Sequence, residues 1–336
     1  MCDSNVILEV KKLKKEFLIS KGFFNKNKKY IKAVDDISFK LKKGETLGIV
    51  GESGCGKSTM ARLILRLIEP SFGEVYFEGK NIFNMTKGEI REFRKKVQIV
   101  FQDPAASLNP KMTVKELLEE PLKINFKYNK SQVKEKLDEI IDEVGLDKQS
   151  LNKYPCEFSG GQKQRICIAR ALILRPKVLI CDESVSALDV SIQSQIINLL
   201  NDLKEKYNMT YIFISHDLSV VKHISNRVGV LYLGKIVELG KVDDIFDRPK
   251  HPYTKSLIDA IPIPDPDINN EEIFLKGEVE SSRDILKGCK FQCRCRECME
   301  ICKRKEPEFE KLDDGSFLAC HLKEKDNFSI RKSIVS

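Results

Sequence analysis

The stretch Gly51-Glu52-Ser53-Gly54-Cys55-Gly56-Lys57-Ser58-Thr59 decides the fold class. A glycine, four residues, a glycine, a lysine and then a hydroxyl residue make a loop whose backbone N–H groups converge on phosphate oxygens. Thr46–Val50 before it reads as a buried strand, and Thr59–Leu67 after it has helical composition. Strand, loop and helix in that order are the context such a loop requires. A helix beginning near Lys57 points the positive end of its dipole at the anion. Lys57 is placed to reach β- and γ-phosphates, and the Ser58 hydroxyl to ligate Mg²⁺.

Working outward, Val178–Cys181 is an apolar strand that ends in Asp182-Glu183. A carboxylate at the mouth of such a strand suits the Mg²⁺ shell, which assigns Asp182, and leaves Glu183 to polarise an attacking water. Ser159-Gly160-Gly161-Gln162 precedes a helical run over Gln164–Leu174 and forms a second nest of N–H donors. One nucleotide has no need of two phosphate sites in one chain. A head-to-tail pair of chains places the second site against the γ-phosphate held by the partner's loop.

The remaining pattern alternates strand and helix. Val6–Val10 and Ala33–Leu41 read as strands separated by a Lys- and Asn-rich insertion at Lys21–Lys29. Val133, Leu137, Ile140, Ile141 and Val144 recur at helical spacing, and Gly145 closes that run. Ile192–Lys206 is a helix; Tyr211–Ser215 and Arg227–Leu233 are strands. Such alternation implies a largely parallel sheet with helices on both faces. The Pro-punctuated run Ile261–Asp267 marks a boundary between residues 1–260 and 261–336. No apolar run approaches the roughly 20 residues of a membrane span, and the first thirty residues lack a signal-peptide core. The net charge of +8 reads as a lysine-rich solvated surface. Of eleven cysteines, six lie between Cys289 and Cys320, a clustering that suggests metal or iron–sulfur chemistry rather than disulfides.

Taken together these segments resemble the ATP-binding subunits of ABC transporters over residues 6 to about 260. The motifs occur in the family's order: the phosphate loop; Gln102 in Val100-Phe101-Gln102-Asp103-Pro104; Ser159–Gln162; Asp182-Glu183; Ser186-Ala187-Leu188-Asp189; and His216 in Ile214-Ser215-His216-Asp217. The resemblance implies an α/β P-loop NTPase. It has a RecA-like core, an antiparallel β subdomain, a helical signature subdomain at about residues 104–172 and a small Cys-rich C-terminal extension. It also implies roles. Gln102 senses Mg²⁺, Ser186–Asp189 contacts the opposing subunit, and His216 bonds the γ-phosphate and orients the water. An aromatic ring stacks on adenine, for which Tyr30 is the candidate and Phe17 the alternative.

Tyr154-Pro155-Cys156-Glu157-Phe158 and His251-Pro252-Tyr253-Thr254-Lys255-Ser256-Leu257 are similar to the oligopeptide/dipeptide permease branch, and more to its second ATPase subunit than its first. Ser184 departs from the proline usual in that branch. The branch implies a homologous second ATPase, two transmembrane permease subunits and an extracellular or periplasmic peptide-binding protein. It implies a place on the cytoplasmic face of the cell membrane and no nucleic acid. Nickel importers share much of the pattern, and a soluble ABC ATPase acting on nucleic acid or ribosomes is the rival. In the tail the resemblance selects Cys289, Cys295, Cys302 and Cys320 as ligands of a [4Fe–4S] cluster. Zinc and unliganded thiols are the alternatives, and Cys293 and Cys298 fall outside the four.

Overall fold

The computed structural model describes residues 5–20, 29–261 and 287–322. Most of the Lys21–Lys29 insertion and of the Ile261–Asp267 run lie outside the described residues. Twelve strands form two sheets among them. The first holds β1 (Val6–Ser20), β2 (Lys29–Lys42), β4 (Phe72–Phe77) and β5 (Lys80–Asn81), in the order β2-β1-β4-β5 and antiparallel throughout.

The second sheet contains β3 (Thr46–Val50), β6 (Val97–Val100), β7 (Val178–Asp182), β8 (Thr210–Ile214), β9 (Arg227–Tyr232), β10 (Lys235–Lys241), β11 (Glu310–Lys311) and β12 (Phe317–Leu318). Its order is β11-β12-β10-β9-β3-β8-β7-β6, parallel from β9 to β6 and antiparallel at the other edge.

Every residue of β3, β7 and β8 is buried, because both faces of the parallel sheet are covered. The alternation of side chains divides them between two cores. Leu179, Cys181, Tyr211 and Phe213 pack toward the helices Val114–Asn125, Lys130–Glu143 and Gly160–Leu172. Val178, Ile180, Ile212 and Ile214 pack toward the helix Lys57–Ile64 and the antiparallel sheet.

The first strand runs well past Val10. Lys12 takes a positive φ of 46°, its N–H donates to Ser38 Oγ, and the register with β2 shifts between Val10 and Leu13. That bulge breaks the alternation by which a strand is read from sequence. The tail, poor in secondary-structure signal, adds two short strands to the main sheet. β12 pairs Leu318 with Glu238 and Phe317 with Leu239, and Ala319 N–H donates to the Val237 carbonyl at 2.8 Å.

Candidate nucleotide site

The loop Gly51–Gly56 leaves β3 in the middle of the parallel sheet. Its glycines are required by contact as well as by conformation. Gly51 has φ +152°, and a Cβ there would sit 2.2 Å from the Leu231 carbonyl oxygen; Gly56 has φ +109°, with the Ala33 oxygen 2.1 Å from the same position. The helix Lys57–Ile64 starts directly after. Lys57 is 4 % exposed; its Nζ donates to the carbonyls of Gly51 (2.8 Å) and Glu52 (3.0 Å) and lies 3.5 Å from Glu183 Oε1. Ser58 Oγ donates to Asp182 Oδ1 at 3.0 Å, so the two groups expected around Mg²⁺ already meet. Burial raises the Asp182 pKa, a penalty that a bound cation offsets.

Glu183 follows the end of β7 with a positive φ of 48°, and its N–H donates to the Ile214 carbonyl at 2.9 Å. The turn brings its carboxylate among residues from three other segments. Gln102 Nε2 donates to Glu183 Oε2 at 2.9 Å, His216 Nδ1 is 3.6 Å from the same oxygen, and Lys57 approaches the other. Gln102 stands just after β6 and His216 just after β8, so three parallel strands deliver their C-terminal ends to one place. Open α/β sheets bind ligands in that position.

The remaining candidates make local contacts of their own. Ser159 caps the helix Gly160–Leu172, with Ser159 N–H donating to Gln162 Oε1 (3.0 Å) and Gln162 N–H to Ser159 Oγ (3.4 Å). Gly161 is packed so closely on Ile192 that a Cβ would come within 2.4 Å of its side chain. Asp189 caps the helix Val190–Tyr207, accepting from Ile192 N–H at 3.0 Å, and that bond lowers its pKa. Tyr30, paired in β2 with Leu18, is 42 % exposed, and Phe17 beside it is 43 % exposed with Lys15 over its ring.

Sequence reasoning did not anticipate how the tail reaches this site. Phe291 is buried against Tyr232, Tyr253 and His251. Arg294 pairs with Glu52 inside the loop itself. The only sequence signal on this path was Tyr253, within the His251–Leu257 motif. In the tail, Cys289 N–H donates to the Cys302 carbonyl at 2.7 Å. Burial pushes the Cys289 thiol up to about 12 and Cys295 up to about 11, and Cys302 and Cys320 add to both. All ten described cysteines are free, and no group of three or more His, Cys, Asp or Glu among the described residues is arranged to hold a metal ion.

A family model described as "ABC transporter" matches residues 34–186, and one described as "Oligopeptide/dipeptide transporter, C-terminal region" matches residues 237–302. The oligopeptide transport ATP-binding protein AppF of Bacillus subtilis is 50% identical over 323 residues, covering 95% of this chain and 98% of its own. The chain belongs to the ABC transporter ATP-binding family. This ABC ATPase is also 49% identical to the oligopeptide transport ATP-binding protein OppF of Escherichia coli, over 93% of this chain and 94% of that one. Among solved structures, the ATP-binding cassette MJ0796, in a dimeric post-hydrolysis state with ADP and Pi, matches at TM-score 0.63 and 29% identity. That match covers 70% of this chain and 99% of the cassette.

Proposed function

We propose that the chain is the ATP-hydrolysing subunit of a peptide importer, held on the cytoplasmic face of the cell membrane by two permease subunits. A peptide-binding protein on the outer side delivers the substrate. The observation that carries this is the meeting of Lys57, Gln102 and His216 on the Glu183 carboxylate, backed by Ser58 on Asp182. The peptide assignment is supported by the names of relatives about half identical over nearly the full chain.

In this reading the Gly51–Thr59 backbone and Lys57 bind the β- and γ-phosphates, and Tyr30 stacks on adenine. Ser58, Asp182 and Gln102 would hold Mg²⁺, which would supply positive charge to offset that of the phosphates. Glu183 accepts a proton from water as it attacks in line, and His216 orients that water and the γ-phosphate. Ser159–Gln162 and Asp189, each at the start of a helix, serve the partner's nucleotide. The partner is a homologous second ATPase. Residues 1–260 form the nucleotide-binding unit, with its helical part at about 104–172, and 261–336 an extension docked on it.

We also propose that Cys289, Cys295, Cys302 and Cys320 hold a [4Fe–4S] cluster. Support comes from the four thiols being free of disulfides and from Cys289 and Cys302 meeting through a backbone bond, Cys289 N–H to the Cys302 carbonyl at 2.7 Å. Bound there, a cluster cross-links the tail. Anaerobically purified chain should contain about four iron and four acid-labile sulfide per molecule; absence of both removes this part of the reading.

The transport role is tested by purifying the tagged full chain from solubilised membranes. Two permeases and a second ATPase should accompany it, with ATP turnover stimulated by the peptide-loaded binding protein. Recovery with RNA or ribosomes in place of permeases overturns the reading, and stimulation by a nickel-loaded binding protein redirects it to metal import.

A further inference from the structure

Glu52 is the second residue of the phosphate loop, and all of its polar groups are engaged. Its N–H donates to Tyr253 Oη at 3.0 Å, and its carbonyl accepts from Lys57 Nζ at 3.0 Å. Its carboxylate receives a two-pronged bond from Arg294, Nη1 to Oε2 at 2.8 Å and Nη2 to Oε1 at 2.7 Å. The Arg294 side chain is only 6 % exposed, and its guanidinium lies 5.9 Å from the centre of the Tyr232 ring. Its position is fixed from behind: Phe291 is buried, and Lys290 Nζ lies 3.0 Å from Asp35 and donates to the Leu233 carbonyl at 2.8 Å. A planar fork at this exposure specifies both the position and the charge of its partner.

A carboxylate in a loop that receives a triphosphate is repulsive unless a cation cancels it. We infer that Arg294, carried by the C-terminal segment, is a positioning residue of the ATP site: it neutralises Glu52 and fixes the loop backbone that places Lys57. The tail thereby completes the phosphate site of its own chain. This rests on Gly51–Thr59 being the ATP phosphate site, and the two claims separate experimentally.

The test measures affinity of the full-length chain for MgATP and for AMP by equilibrium titration, with thermal unfolding in parallel. Arg294→Gln should weaken MgATP binding about tenfold and AMP far less, since the uncancelled charge acts on the β- and γ-phosphates. KM for ATP should rise in step while kcat stays close to wild type. Removing the repelling charge in the double variant Glu52→Gln/Arg294→Gln should restore affinity to within about threefold of wild type. A merely structural staple predicts otherwise: lowered stability, equal losses for both nucleotides and no rescue. Wild-type MgATP affinity in Arg294→Gln, or a loss the double variant does not relieve, overturns the inference. Should Arg294→Gln fail to fold, Arg294→Lys keeps the charge without the fork; a loss of about threefold supports the inference and wild-type affinity overturns it. If wild type binds MgATP no better than Lys57→Ala, the reading of the loop has failed instead.

Discussion

Glu183 has a φ of +48°, a conformation that side chains other than glycine rarely adopt. Such strain persists where surrounding contacts over-determine it. Here the Glu183 N–H bond to Ile214 and the Gln102, Lys57 and His216 contacts hold the carboxylate over the loop. Lys57 and Glu183 were legible from their own strand–loop patterns, whereas Gln102 and His216, each just after a strand of the parallel sheet, were found only through the family resemblance. Arg294 was not legible, because it lies 242 positions from Glu52 and no local rule links them.

His251 adds a pH dependence at the same scale. Burial holds its pKa down at about 3 from the ordinary 6.5, and its Nδ1 accepts the Tyr253 N–H. The unfolded chain protonates this histidine below pH 6.5 while the folded chain does not, so folding stability is lost as pH falls from 6.5 toward 3. Glu238, which accepts the His251 N–H, has a pKa raised by burial and acts in the opposite sense just above its ordinary 4.5. His251→Asn keeps an acceptor for the cap and removes the titration. Below pH 6.5, denaturant unfolding should show wild type losing about 1.4 kcal/mol more per pH unit than this variant. Equal losses contradict a buried neutral His251.

At the scale of elements, strands with continuous apolar runs and helices with clear ends were legible. Val178–Asp182 and Thr210–Ile214 are short and wholly buried, whereas the helix read over Gln164–Leu174 begins four residues earlier, at Gly160, behind the Ser159/Gln162 capping box. The described part of the tail was not legible as structure. β11 and β12 are two residues each, too short for any period to register, and their place is set by the free edge of β10. What anchors the segment is Phe291, whose ring meets Tyr232, Tyr253 and His251. Phe291→Ala should cost about 3–5 kcal/mol in denaturant unfolding and raise protease sensitivity within residues 287–322. A loss below about 1 kcal/mol contradicts the anchoring role.

For the whole molecule, the two glycine-rich sites differ in what they already contain. The Gly51–Thr59 loop gathers its ion-pairing and proton-accepting groups from this chain, including the tail. The Ser159–Gln162 helix end is capped by its own side chains and joins none of them. In the proposed reading, that difference lets one chain's helix end complete the loop site of another. No helix among the described residues is long and apolar enough to cross a membrane.

The central claim is that Glu183 activates water for ATP bound on the chain's own Lys57 loop. The direct measurement is single-turnover hydrolysis and ATP affinity of Glu183→Gln beside wild type, in the assembled complex. The account predicts a fall in hydrolysis rate of about a hundredfold or more with ATP affinity preserved, so that ATP is trapped between closed ATPase subunits. Near-normal turnover in Glu183→Gln contradicts it.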